Sequence, residues 1–288
     1  MFLAIRHTTT YAYDQPIILE PHTIRLTPRA DAYRHLMERN LTIIPEPDGV
    51  SVSLDYNGSL SHLVWFKRPT ASLTIMSRIV LELNDINPFD YLVYPIGCIN
   101  LPMQYPPGMA ATLKPFLSQH PPQGNVNAFA SGIMQESKNN VLEFAALLAK
   151  TINQECVYEI RDKGMPHLPE KVWAARRGSC RDLTVLYIEA ARVAGLAARF
   201  VSGYYFDQSP KYPQLHAWAE VYIPGGGWRG YDPTLGLACY GHHIALASGA
   251  VASQAAAIEG TFLGKPESRM ESNIEYEYLK HFSRSVEL

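Results

Sequence analysis

The chain has 288 residues, 47% hydrophobic and 18% charged, with a formal net charge of −2 and a pI of about 6.6. That balance carries no basic footprint for nucleic acid or an anionic membrane, and no run approaches the ~18 apolar residues of a membrane span. A chain of this length holds about two domains at ~100–200 residues each and needs neither disulfide nor metal to maintain a core.

The first third reads as β structure. MFLAIRHTTTYAYD puts Leu3, Ile5, His7, Thr9, Tyr11 and Tyr13 on one face of a strand. It shows no signal-peptide apolar region or cleavage site. Val50, Val52, Leu54 and Tyr56 alternate up to Asn57-Gly58, and Leu60, His62, Val64 and Phe66 alternate beyond it, which predicts a hairpin. Leu73 to Leu83 predicts another strand. Several short strands without a long helical period indicate a sandwich or barrel. His7, His22, His35 and His62 read as strand residues, since no metal-ligand spacing links them.

Between 87 and 127 the periodicity fades into NPFDYLVYP, LPMQYPPGM and HPPQGN, a proline-rich linker that is partly extended and, since it keeps its aromatics, packed against something. Helical spacing then begins. Val141, Phe144, Ala145, Leu148 and Ile152 predict one helix with Asn140 as its cap, and Pro169 to Arg176 predicts a short one. The third carries Leu183, Leu186, Tyr187, Ala190, Val193 and Ala194 as its buried stripe, with Gly195 past its end.

The start of that third helix is GSCRD. Ser179 and Asp182 have capping-box spacing, which places Cys180 at the first helical position beside unpaired backbone donors. Such a position favours a thiolate, whereas a cysteine buried for packing needs no special place. Strands resume in ARFVSGYYF and LHAWAEVYIP, where His216, Trp218, Glu220 and Tyr222 share one face. Gly225-Gly226-Gly227 turns the chain, and WRGYDPT returns toward Asp232. A nucleophilic thiol requires a base, and the base an orienting acceptor. Cys180, His216 and Asp232 supply these in chain order. The hairpin register, and with it contact between His216 and Asp232, is not fixed by the sequence.

GSCRD with its apolar helix, GLAARFVSGYY, HAWAEVYIPGGGW and YDPT together resemble the core of the transglutaminase-like cysteine enzymes. IRHTTTYAYD and IRLTPR resemble the N-terminal region that accompanies this core in many bacterial members. The likeness covers roughly 1–85 and 140–245. It implies an α+β chain, with a sandwich-like all-β N-terminal domain followed by a papain-like core. It also implies Cys180 as nucleophile, His216 as base and Asp232 as orienter. Arg181 and Leu183 stand where many bacterial members carry glutamine and phenylalanine, and the charged segment often found after YDPTLG is absent. The expected division is 1–86 for the β domain, 87–127 for the linker, 128–245 for the catalytic core and 246–288 for an extension ending in a strand.

The implied chemistry is attack on an amide of a peptide or protein through a thioester. The Cys180 N–H is the natural first oxyanion donor. Trp173 and Tyr158 are candidates for the second, and Trp218 for a wall of the cleft; a core role is open for each. Three readings stand: an amide hydrolase or cysteine protease, an acyltransferase to an amine, and a non-catalytic module keeping the fold. Water at ~55 M against millimolar amine demands ~10⁴-fold selectivity for transfer, which favours hydrolysis. No cofactor is implied. His242-His243 lacks metal-site spacing, adjacent strand residues pointing opposite ways, and no acidic calcium loop is present. Nucleic acid and membrane are not expected partners, and the oligomeric state is not read from the sequence. Four scattered cysteines (Cys98, Cys156, Cys180, Cys239) with no signal segment read as reduced thiols in the cytoplasm.

Overall fold

The computed structural model describes residues 1–31, 34–84, 87–118, 124–161, 164–206 and 215–282. The β layer contains β1 (Phe2–Leu19), β2 (His22–Ile24), β3 (Arg34–Ile44), β4 (Gly49–Leu54), β5 (Leu60–Trp65) and β6 (Thr70–Leu83). The alternation expected of β1 is visible in its burial: Leu3, Ile5, His7 and Thr9 are buried, and the first two pair with Leu81 and Ile79 of β6. The β4–β5 hairpin closes with Leu54 opposite Leu60. Its five-residue loop is held by Asp55 Oδ1, which accepts the Asn57 and Ser59 N–H groups, and Gly58 takes φ +81°.

The helices are α1 (Pro107–Leu113), α2 (Gly124–Glu136), α3 (Val141–Glu155), α4 (Pro169–Ala175) and α5 (Cys180–Val193). Asn140 caps α3 as its position predicts, its Oδ1 accepting from the N–H groups of Leu142 and Glu143. Two short strands, β7 (Val157–Tyr158) and β8 (Arg177–Gly178), pair in parallel on either side of α4. After α5 come β9 (Ala198–Tyr205), β10 (Leu215–Ile223), β11 (Gly227–Asp232), β12 (Leu237–Ala238) and β13 (His243–Gly249), in spatial order β12-β11-β10-β9-β13. The chain ends with β14 (Ile258–Glu259), β15 (Phe262–Leu263) and β16 (Ser268–Leu279). The final strand returns to the N-terminus: β16 runs antiparallel to β1, with His7 opposite Ile274. The β layer comprises two sheets, β15-β1-β6-β3 with β16 also on β1, and β14-β2-β5-β4.

Two apolar clusters organise these elements. In the first, Leu186, Tyr187, Ala190 and Ala191 of α5 pack with Ala217, Ala219, Val221 and Ile223 of β10. In the second, Leu3, Ile5, Ile75 and Leu81 of the β layer share a core with Tyr204, Phe206, Ile244 and Leu246 of the five-stranded core sheet. His7 joins the same seam, with Nδ1 3.0 Å from the Tyr204 hydroxyl; burial lowers its pKa to about 4.

Two boundaries differ from the sequence reading, and the packing it expects of the linker has a definite partner. The helix α2 lies where that reading has the end of the linker and the first residues of the core. The rest of the linker is strapped to the core: Cys98, Leu101 and Met103 are buried in the first cluster, and the Tyr105 hydroxyl donates to Tyr222 O at 2.7 Å. The division expected at 245 falls inside β13, so residues 246–249 belong to the core sheet. Among the described residues no helix is long and apolar enough to cross a membrane.

Candidate active site

Cys180 opens α5, and the residues around it are shaped for that position. A Cβ at Gly178 would lie 2.6 Å from the Asp182 Cβ, so the approach of the chain to Asp182 requires glycine. Ser179 is the N-cap, and Asp182 turns back onto it. Asp182 Oδ2 accepts from the Ser179 N–H at 2.8 Å and from the Ser179 hydroxyl at 2.7 Å. Its Oδ1 accepts from Arg161 Nη2 and from the His167 N–H, both at 2.7 Å. Burial opposes ionisation here, but these donors hold the carboxyl at about 2. Backbone bonding of the helix starts with the Asp182 N–H to Ser179 O at 2.9 Å. The N–H groups of Cys180 and Arg181 precede it and have no intrahelical acceptor.

The hairpin register left open by the sequence is Ala219 opposite Tyr231 and Ile223 opposite Gly227. This brings Asp232 to His216, whose Nε2–H donates to Asp232 Oδ2 at 2.7 Å. With Nε2 committed, Nδ1 is the ring nitrogen left for Cys180, whose thiol is within hydrogen-bonding reach of the imidazole. Cys180, His216 and Asp232 therefore lie together, the imidazole bonded to the carboxylate and neighbouring the thiol. Asp232 is fully buried, and its Oδ1 accepts from the N–H groups of Thr234 at 2.8 Å and Leu235 at 3.3 Å. A third side chain completes the set: His243 Nε2–H donates to the same Oδ2 at 2.9 Å.

The electrostatics follow from this arrangement. Burial pushes His216 down, yet the Asp232 charge and hydrogen bond, reinforced by Cys180, raise it to about 10. Burial pushes Asp232 up, but the His216 charge and the two imidazole hydrogen bonds hold it well below the usual carboxylate range. His243 shifts the other way. Its burial outweighs Asp232, and the charges of His216 and Arg34 add to the lowering. One carboxylate thus faces one imidazole whose pKa is raised and one whose pKa is lowered.

Tyr158 borders the site. The β7–β8 pairing sets it beside the start of α5, and its hydroxyl pKa is raised first by burial, then by the charges of Cys180 and Asp232. Trp173 is packed differently: its ring stacks on Phe129 with centroids 3.7 Å apart, and the Arg176 guanidinium lies 3.2 Å above it. Trp218 is buried behind the imidazoles, edge-on to His243 at 5.1 Å and 6.4 Å from His216. Of the remaining thiols, Cys98 and Cys156 are buried, and burial raises Cys239 well above its ordinary value. A cavity of about 760 Å³ lies on the Trp218 face, lined by Arg29, Glu220, Trp228, Cys239 and His243 but by neither Cys180 nor His216.

The ligand-type atoms of His216, Asp232 and His243 lie within 4.8 Å of one another, close enough to raise the question of a metal. Both Nε2 atoms are directed at Oδ2 as proton donors, so their lone pairs do not converge on a common ion. His242 precedes β13, its ring 5.4 Å from that of Phe206.

Residues 127–233 match the model of the transglutaminase-like superfamily, and residues 3–82 match that of the bacterial transglutaminase-like N-terminal region. The chain belongs to the transglutaminase-like superfamily. Its family is one of cysteine-dependent enzymes, and its fold is α+β, a strand-rich N-terminal region followed by the superfamily core. It is 29% identical over 247 residues to an uncharacterised protein of Mycobacterium tuberculosis (strain ATCC 25618 / H37Rv), covering 80% of this chain and 77% of that one. It is 22% identical over 287 residues to an uncharacterised protein of Mycobacterium leprae (strain TN), covering 91% and 94%. A crystal structure of a candidate cysteine protease from Cytophaga hutchinsonii shares the fold, with a TM-score of 0.69 at 20% identity over 98% of this chain and 92% of that one.

Proposed function

We propose that the chain is a cysteine amide hydrolase acting on a peptide or protein, with Cys180 as nucleophile, His216 as its proton partner and Asp232 as the orienter of His216. The observation that carries this reading is the imidazole of His216 held between the Cys180 thiol and a buried carboxylate oxygen 2.7 Å away. The Cys180 sulfur adds to the amide carbon, and the carbonyl oxygen takes the negative charge. The Cys180 N–H at the start of α5 donates to that oxyanion, and the Tyr158 hydroxyl is our candidate second donor. Trp173 and Trp218 are assigned to packing. His216 gives its proton to the departing amine as the C–N bond breaks, leaving a thioester. Water then loses a proton to His216 and adds to the thioester, and the acid leaves with Cys180 restored.

Hydrolysis is favoured over transfer by the excess of water over any amine. Of the aromatic candidates for a water-excluding wall (Trp173, Trp218, Tyr204, Tyr205), Tyr205 lies against the His216 ring at 5.8 Å and Trp173 stacks on Phe129. A thioester that waits for an amine needs water excluded around it. Tyr204 is buried against His7, and Trp218 lies behind the imidazoles; neither covers Cys180. Four thiols unpaired with one another accord with a reducing, cytoplasmic setting.

Iodoacetamide at pH 6–7 should alkylate Cys180 ahead of Cys98, Cys156 and Cys239, and His216→Ala should slow that labelling about tenfold or more. Equal labelling of all four thiols in the folded protein would remove the triad. A trapped acyl-enzyme should release mainly free acid. Capture of most of the acyl group by a millimolar primary amine, read by mass spectrometry, would replace hydrolysis with transfer.

A further inference from the structure

We propose that His243 is a positioning residue of the triad: its Nε2–H fixes Asp232 Oδ2 and withholds part of that oxygen's charge from His216. The proposal rests on the triad reading above and concerns a residue outside it. His243 enters from β13, a strand that does not adjoin β10 or β11, and its bond to Oδ2 at 2.9 Å is nearly as short as the 2.7 Å bond from His216. Because Oδ2 receives both, His243 must carry its proton on Nε2, and as a neutral ring its Nδ1 is bare. Nδ1 is buried and has no hydrogen-bond partner, as suits a bare acceptor and not an N–H.

The groups facing His243 agree with a neutral ring. They are Asp232 from β11, His216 from β10, Arg34 from β3, the Tyr205 ring from β9 at 4.9 Å, and Cys239 beyond β12 in the shared cavity. One carboxylate balances one imidazolium, and that is His216, with Arg34 adding a further positive charge against a second.

A second donor matters when His216 has passed its proton to the leaving amine. The ion pair with Asp232 is then gone, and one hydrogen bond from a neutral imidazole remains between them. His243 and the N–H groups of Thr234 and Leu235 keep the carboxylate oriented through that interval. Sharing Oδ2 also makes Asp232 a weaker partner, so His216 releases its proton more readily than it would beside a carboxylate it alone occupied.

The test is alkylation of Cys180 by iodoacetate in the full chain, followed against pH by mass spectrometry. This reagent is anionic, so its rate falls at high pH as the imidazolium of His216 loses its charge. His243→Phe should move that alkaline limb upward by about half a unit to one unit, the size expected for one lost neutral hydrogen bond. It should also lower the maximal rate severalfold. His243→Gln, whose amide can still donate, should restore the limb toward that of the parent. A His243→Phe profile superimposable on the parent's, in a protein that melts normally, would reduce His243 to packing. Should His243→Phe fail to fold, ¹⁵N spectra of the parent decide: the Nε2–H neutral tautomer at pH 6–9 supports the proposal, and an imidazolium or Nδ1–H form overturns it. Absence of preferential Cys180 labelling in the parent strikes the triad reading instead, which keeps the two failures distinct.

Discussion

Glu220 and Asp232 are buried carboxylates on neighbouring strands, and their partners give them opposite characters. Glu220 lies between two arginines. Its Oε1 accepts from Arg29 Nη2 at 2.6 Å, and its Oε2 from Arg199 Nε at 2.7 Å. Guanidinium does not deprotonate in a protein, so this cluster is fixed and ties residue 29 of the N-terminal segment to β9 and β10. Burial alone would raise Glu220; the two arginines hold it at about 2. Asp232 lies between two imidazoles, groups that, unlike guanidinium, can lose and gain a proton in a protein. The same burial therefore yields a fixed ion-pair clamp in one place and, in the other, a carboxylate whose partners can change protonation, as the proposed triad requires.

The sharpest way to break the comparison is Asp232→Asn. If Asp232 works by orienting His216, the amide should leave the fold and substrate affinity in place and lower turnover by about 10²–10⁴-fold, because it admits the wrong tautomer. Steady-state kinetics on any cleaved peptide would show this, and unchanged turnover would remove Asp232 from the site. Glu220→Gln should act on the other side. It leaves two guanidiniums facing a neutral amide, and loss of one partner of a buried ion pair costs about 3–5 kcal/mol. Denaturant melts should show that loss, while the fraction still folded should alkylate Cys180 at the parent rate.

The pH dependence of stability separates the clusters further. His216 is raised from 6.5 to about 10, so its contribution is full below pH 6.5 and is lost as pH climbs toward 10. Glu220 is lowered from 4.5 to about 2, so its contribution is full above pH 4.5 and is lost as pH falls toward 2. Thermal melts against pH should therefore show a shallower acid-side slope in Glu220→Gln, where Asp182 and Asp232 keep their shares, and lose the alkaline-side slope in His216→Ala. Exchange of those two effects would mean that the charges are assigned to the wrong groups.

Much of this was legible in local pattern. The capping spacing of Ser179 and Asp182 announces the helix start and hence Cys180. The glycine turn and alternation announce the hairpin carrying His216 and Asp232, although only the folded register shows their contact. What escaped is non-local or weakly patterned. His243 reaches Asp232 because β13 lies against β9 on the far side of β10, and no short-range spacing encodes that order. Its neighbour His242 made the pair look like two unrelated strand residues. Helix α2 buries only Val126, Ala130 and Ile133, a thin stripe after a proline-rich run. The final strand itself is expected, but its register on β1 joins residues 255 to 277 positions apart, which no local pattern sets.

A third buried carboxylate, Asp182, combines the two cases and provides the smallest test. It has one permanent cation in Arg161, two backbone N–H donors and the Ser179 hydroxyl. Ser179→Ala removes only the last. The backbone N–H of residue 179 and the other two donors remain on the carboxylate, so the helix start should hold and Cys180 should stay in place. The expected cost is about 1 kcal/mol, that of a lost cap, in a urea melt. Labelling of Cys180 should change by less than about twofold, since the hydroxyl is a neutral donor to a carboxylate that keeps its other bonds. A loss near the Glu220→Gln value, or a collapse of Cys180 labelling, would mean that the hydroxyl and not the arginine fixes Asp182. The difference between permanent and exchangeable partners would then fail to explain how this molecule holds its buried charges.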